Sequence, residues 1–519
     1  MILNLNVGIL GHVDSGKTSL AKCLSDTAST ACFDKNPQSQ ERGITLDLGF
    51  SAYQCDLPTH LSEHSKCSQL QFTFIDCPGH AKLIRTVIGG SQIMDMFVLV
   101  VDITKGIQTQ TAECLVIGGL TCDRMIVALN KTDLLDVDKR GKMIEKMTKK
   151  ISQILVDTPF KDSPIIPVSA QSNFNITELM NACLQSAYVP PRNPMLPFLF
   201  AVDHCFSIRG QGTICTGTVL QGRIKIGDDV EIPSIQQIKK VKSIQMFRQQ
   251  MNEAQQGDRI GIAITQFDSK LLERGLISAP RFVNYSTAAV IKLNKIKYFK
   301  GAIGSKSKFH ISIGHSTVMA SVLLFQGGAP SDDFDCHRQY EYLPVLDDQC
   351  EDSGKSEAIF ALLEFQKPTI VVTDFLIVAS KLDMDLQSTN CRLAFWGRLN
   401  APSDAFTTAD SFASSLNIFK EKTKEGRIQR VVNSQEIVVD QMFKRNSNRQ
   451  IFVGLKVCLS SGQCGVIDST FGTTTKVKVR LNDHLTAETI QQWKDEKVDV
   501  KVMLKFKKFL FRTETKIFQ

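Results

Sequence analysis

The rhythm of apolar and polar positions changes near residue 190. Before it, short apolar, β-branched runs (Leu5–Leu10, Phe72–Asp76, Phe97–Asp102, Met125–Asn130 and Ile165–Ser169) alternate with amphipathic stretches. That alternation predicts strands separated by helices, the pattern of a parallel sheet wrapped by helices. Val189-Pro190-Pro191-Arg192-Asn193-Pro194 ends it, because proline lacks an N–H donor and disfavours helix in the residue before it. Beyond this point helical periodicity disappears. Short strands punctuated by glycine, as in Gly210-Gln211-Gly212 and Gly227-Asp228, predict small β-barrels. With further breaks near Arg281 and Pro402, the expected domains are an α/β domain over 1–190, barrels over 195–281 and 284–400, and a β-rich domain over 402–519.

Two local patterns stand apart. Residues 327–357 are polar, acidic and without period, which predicts a long mobile loop. Lys476-Val477-Lys478-Val479-Arg480-Leu481 alternates strictly, so a strand there places three cations on one face, able to meet phosphate, and three apolar groups on the other.

At 519 residues the chain exceeds one core, and 43% hydrophobic with 22% charged residues argues against disorder. No run of about 18 uncharged apolar residues occurs, so no membrane span is predicted. Met1-Ile2-Leu3-Asn4 leads straight into a strand, without the features of a signal peptide. Fifteen scattered cysteines read as reduced thiols, and a cytoplasmic protein is expected. The net charge of +8 is concentrated: residues 402–519 carry twenty Lys and Arg against thirteen Asp and Glu, or +7. Such asymmetry suits polyanion binding, and a solvated basic domain explains it equally.

The chemistry lies in the first domain. Gly11-His12-Val13-Asp14-Ser15-Gly16-Lys17-Thr18 fits a P-loop and sits between a strand and a helical segment. There backbone N–H groups face phosphates, Lys17 reaches the β- and γ-phosphates, and the Thr18 hydroxyl ligates Mg²⁺. Asn130-Lys131-Thr132-Asp133 follows an apolar strand and selects guanine, since the Asp133 carboxylate can accept from both N1–H and the exocyclic amine. Ser169 and Ala170 follow a later strand, where backbone N–H groups meet the base carbonyl. Arg42-Gly43-Ile44-Thr45 and Asp76-Cys77-Pro78-Gly79-His80 read as two switches. Thr45 would hold Mg²⁺ only with γ-phosphate present, Asp76 would hold it through water, and the Gly79 N–H would sense the phosphate. His80 is the expected catalytic residue, orienting the attacking water, with a helix-capping role as the alternative. No arginine in cis is evident, so hydrolysis should depend on a partner.

These segments resemble the translational GTPases, over roughly residues 1–280. Phe206-Ser207-Ile208-Arg209-Gly210-Gln211-Gly212-Thr213 is similar to that family's second-domain opening. The resemblance implies two translation-factor-type barrels and the ribosome as the partner that triggers hydrolysis. Within the family, the chain most resembles the eukaryotic selenocysteine-specific branch, on Ser39–Phe50, Val202–Ile208, Gly257–Gly261 and the added basic fourth domain. That likeness implies GTP-dependent carriage of selenocysteinyl-tRNA to UGA. It implies a monomer whose C-terminal domain meets a messenger RNA element or its binding protein. It also implies a pocket of Asp203, His204 and Arg259, in which cations distinguish a selenolate from neutral serine and cysteine side chains. A surface ion network is the alternative for these three residues. An initiator-tRNA-like carrier and a GTP-switched RNA-binding adaptor are the competing functions.

Other clusters stay open. Lys292, Lys295, Lys297, Lys300, Lys306 and Lys308 could track a tRNA backbone or form a solvated face. Lys505-Phe506-Lys507-Lys508-Phe509 suits phosphate contact with base stacking, or a barrel strand with core phenylalanines. Cys55, His60, His64 and Cys67 offer zinc ligands at a spacing matching no common finger.

Overall fold

A computed structural model describes residues 2–28, 48–63, 67–79, 84–210, 212–314, 316–346, 357–382, 391–400, 409–445, 447–471, 474–494, 500–511 and 517–519. They fall into two compact units, Met1–Val322 with Leu363–Asp404, and Leu323–Leu362 with Ala405–Gln519.

In the first unit, the strand Ile2–Gly11 lies at the centre of a sheet, parallel to Gln69–Asp76 on one side and Met96–Asp102 on the other. Met125–Asn130 and Ile165–Pro167 continue it in parallel, while Gly49–Asp56 pairs antiparallel with Gln69–Asp76. Met96–Asp102 and Met125–Asn130 are buried at every position, as expected of strands covered on both faces. The parallel ladders end at one edge: Ile9 is level with Asp76, and Asp102 with Asn130. Ligands of such sheets bind beyond the carboxyl ends of the strands. The expected parallel sheet therefore carries an antiparallel edge.

The strands Leu199–Ile208, Gly212–Gln221, Arg259–Ile264, Gln237–Met246, Asp229–Ile232 and Gly275–Ser278 pair in a ring, closed by Asp229–Ile232 against Gln237–Met246. Phe200, Val230, Ile244, Ile262 and Ile277 fill it. Asn4 and Asn6, two residues apart and so on one face of their strand, both donate to the Gly257 carbonyl of this barrel at 2.8 Å. Ile296, Val378 and Leu393 of the following barrel share a core with Leu115 and Phe160 of the first domain. Between them Arg392 grips Glu113 through two hydrogen bonds of 2.9 and 2.7 Å, both side chains buried.

In the second unit, Asn417–Val431 and Lys501–Phe509 pair over nine residues and close a barrel through Glu436–Asp440, Val477–Leu481, Cys464–Thr470 and Lys456–Leu459. Three expectations change here. Phe506 and Phe509 are buried in this unit's interior, which excludes them from stacking on bases. Lys478 and Arg480 are held by Glu436 and Asp468 at 2.8 and 2.9 Å, so two of the three cations on that strand are already neutralised by neighbouring strands. Part of the acidic segment is ordered: Gln339–Leu343 is a strand parallel to Asn417–Val431. The buried ring of Tyr340, packed with Phe325, Phe334 and Phe360, supplies the burial that overrides the acidic composition. Residues 347–356 lie outside the described residues.

Candidate functional site

The loop Gly11–Thr18 leaves the central strand and enters the helix Lys17–Leu24. Gly16 has φ +91°, and a Cβ there would lie 2.3 Å from Asn130 Nδ2, so conformation and space both require glycine. Lys17, 6% exposed, donates through Nζ to the His12 carbonyl at 2.6 Å, and the Ser15 N–H shares that acceptor at 3.3 Å. Burial pushes the Lys17 ammonium below its ordinary range, against the pull of Asp76. Burial and the Lys17 charge likewise lower the His12 imidazole. Val13 N–H donates to Gln110 Oε1 at 3.3 Å, Ser15 is buried and Asp14 is exposed.

Asn130 ties the predicted segments together. Its Nδ2 donates to the Ser15 carbonyl at 2.9 Å and its Oδ1 accepts from the Ala170 N–H at 3.1 Å. Asp133 is exposed and accepts from the Ser169 hydroxyl at 2.5 Å. Lys131 is left-handed (φ +66°) and pairs with Asp102 at 3.0 Å. Burial raises the Asp102 carboxyl, but hydrogen bonds from Thr104 and Lys131 outweigh it and hold the group low. Asp102 and Gln110 were not among the sequence candidates, although an acid closing an apolar strand is a readable signal.

Of the switch residues, Asp76 and Gly79 are described, whereas Arg42, Gly43, Ile44, Thr45 and His80 lie outside the described residues. A Cβ on Gly79 would meet Lys17 Nζ at 2.3 Å and Val13 N at 2.8 Å, so only glycine permits this approach to the P-loop. Thr18 Oγ1 donates to Asp76 Oδ2 at 2.7 Å. A hydroxyl and a carboxylate side by side beneath a phosphate loop are hard oxygen donors, the set Mg²⁺ takes together with phosphate and water.

Asp203 and Arg259 are brought together in the first barrel. Asp203 sits where the register of Leu199–Ile208 shifts against Gly212–Gln221, a bulge that adds one residue between Val202 and His204. Its carboxylate accepts from Arg259 Nη1, both side chains being 5% exposed, and Thr218 Oγ1 accepts from the same Nη1 at 3.4 Å. The guanidinium lies over the Phe50 ring of the first domain, 3.1 Å from its centroid. His204 follows on the same strand, half-buried and opposite Thr216. This is a buried pair, not a surface network.

Elsewhere, His60 contacts the Ala187 carbonyl at 3.1 Å and His64 lies outside the described residues. Within 292–308, Tyr298 is 45% exposed while Phe299 is buried. No helix among the described residues is long and apolar enough to cross a membrane.

Comparison with known proteins then decides the family. Residues 3–189 match the family model of the elongation factor Tu GTP binding domain, and 212–277 that of elongation factor Tu domain 2. Residues 290–397 match the third domain of eukaryotic selenocysteine-specific elongation factors, and 414–515 the eEFSec C-terminal RIFT domain. A selenocysteine-specific elongation factor of Mus musculus is 46% identical, covering 94% of this chain and 90% of its own. The chain belongs to the selenocysteine-specific elongation factors. One from Methanocaldococcus jannaschii is 32% identical over 91% of this chain and 92% of its own. Translation elongation factor SelB from Methanococcus maripaludis, crystallised with the GTP analogue GppNHp, superposes with a TM-score of 0.71 at 26% identity, covering 98% of this chain and 99% of its own. As a selenocysteine-specific elongation factor the protein is a translational GTPase, a GTP hydrolase whose GTPase domain is followed by barrels. That sets the initiator-carrier reading aside.

Proposed function

We propose that the GTP-bound protein holds selenocysteinyl-tRNA, brings it to a ribosome paused at UGA and hydrolyses GTP on correct pairing. The observation that carries this reading is the seat of Arg259: a buried cation in the first barrel, oriented by Asp203 and lying on Phe50 of the nucleotide-binding domain. A guanidinium has five N–H donors, so Asp203 fixes its orientation without exhausting it. Arg259 and His204 attract the selenolate, while Asp203 sets the guanidinium plane or meets the aminoacyl ammonium. Phe50 stands three residues after the 29–47 segment that contains Thr45, which gives the nucleotide a short route to the pocket.

In the nucleotide site, Lys17 and the loop N–H groups hold the phosphates, Asp133 and Ala170 hold guanine, and Gly79 senses the γ-phosphate. Thr18, Thr45 and Asp76 hold Mg²⁺, which when bound neutralises phosphate charge. His80 orients the attacking water. The domain divisions at 190, 281 and 402 fit a nucleotide domain, two barrels and a C-terminal module that meets a messenger RNA element or its binding protein. The protein works as a monomer in the cytoplasm.

Selenocysteinyl-tRNA and seryl-tRNA on one tRNA body, titrated against the full chain with a non-hydrolysable GTP analogue, test the reading. Tighter binding of the selenocysteinyl form, reduced in Arg259→Ala, is expected. Equal affinity of the two removes the selenocysteine assignment.

A further inference from the structure

We propose that Cys458 and Cys464 form a reversible dithiol–disulfide pair on the surface of the C-terminal barrel. They face each other across the antiparallel strands Lys456–Leu459 and Cys464–Thr470, with Sγ atoms 2.6 Å apart. The hairpin sets this position. Leu459 N–H donates to the Gln463 carbonyl at 2.8 Å and Gly462 N–H to the Leu459 carbonyl at 2.9 Å, with Gly462 at φ +96°. This is a three-residue loop closed by a left-handed glycine. Leu459 and Gln463 are therefore the hydrogen-bonded pair, and Cys458 and Cys464 the adjacent pair without backbone bonds. In such pairs Cα atoms stand about 4.5 Å apart and side chains approach most closely, within disulfide range. Cys458 is exposed and Cys464 half-exposed, so a soluble oxidant reaches them.

A second cross-strand pair provides the contrast. Cys205 faces Cys215 with Sγ atoms 3.3 Å apart, but Cys215 is fully buried and Cys205 only half-exposed. A soluble oxidant meets the exposed Cys458 directly and has no such access to Cys215, so the C-terminal pair oxidises first. With a peroxide, one thiol takes an oxygen to become a sulfenic acid and water leaves as the O–O bond breaks. The second thiol then attacks that sulfur and displaces a second water. One S–S bond forms, the two sulfurs together lose two electrons and two protons, and the peroxide is reduced to two waters.

The full chain is treated with hydrogen peroxide, quenched, alkylated with iodoacetamide and digested without reductant for mass spectrometry. The expected peptide joins Cys458 and Cys464, carries no alkylation and is lighter by two hydrogens. Dithiothreitol returns it to the doubly alkylated form, and Cys458→Ser or Cys464→Ser abolishes the link. Two alkylated sulfurs after peroxide treatment, either sulfur bonded to another cysteine, or sulfinic acid in place of the link would overturn the proposal.

Discussion

The nucleotide edge of the first domain and the seam around Arg259 both bury charge, and they fix it differently. At the edge, Asp76 and Asn130 close their strands and Lys17 opens the helix after the P-loop, where Lys17 bonds to the His12 carbonyl, Asp76 to Thr18, and Asn130 to Ser15 and Ala170. At the seam, Arg259 is placed by one strand, neutralised by Asp203 from another and covered by Phe50 from a different domain. The groups of the edge bond mostly to backbone and to one another across loops. The seam is a three-part assembly in which removing one member strands the others.

Breaking the seam should have the largest effect. Arg259→Ala leaves the Asp203 carboxylate buried without its ion-pair partner and should cost about 3–5 kcal/mol in denaturant unfolding. Adding Asp203→Asn should recover part of that loss, and strictly additive costs would contradict the coupling. GTP affinity should be almost unchanged in both variants. Lys17→Ala is the converse: stability should hold while GTP affinity, read by titration of a fluorescent analogue, falls on the order of 10²–10³-fold, the scale of losing one preorganised donor to a charged oxygen. A GTP defect as deep in Arg259→Ala as in Lys17→Ala would erase the distinction.

The smallest effect sharpens it. Asp258, beside Arg259, accepts from the Gln255 N–H at 2.8 Å, and burial pushes its carboxyl up to about 6. An unfolded aspartate titrates near about 3.9. The folded state therefore binds the proton more tightly, so this contribution to stability is complete below that value and is lost as pH rises through about 6. Asp258→Asn keeps an acceptor for Gln255. It should raise stability at neutral pH on the order of 1 kcal/mol and flatten the profile over that window.

The same difference explains what could be read before the fold was known. The P-loop, the Asn130–Asp133 segment and the Asp76–Gly79 segment are contiguous, because a loop leaving a strand end can present several groups at once. The parallel sheet followed by barrels was legible for a related reason: period and turn residues are local. Of the seam, the meeting of Asp203 and Arg259 was expected through the family resemblance alone, and the part of Phe50 was not legible, since nothing in residues 50, 203 and 259 taken singly says that they meet. Nor was the docking of the first barrel on Asn4 and Asn6, although their alternation with Leu5 marks a polar face. Tyr340 shows the opposite failure: an acidic, aperiodic surrounding hid a buried aromatic cluster that orders Gln339–Leu343.

The claim that nucleotide state governs carriage is tested most directly by the affinity of the full chain for selenocysteinyl-tRNA with a non-hydrolysable GTP analogue and again with GDP. Binding at least about tenfold tighter with the analogue is predicted, within the usual range of coupling between two sites. Equal affinity in the two states would contradict it.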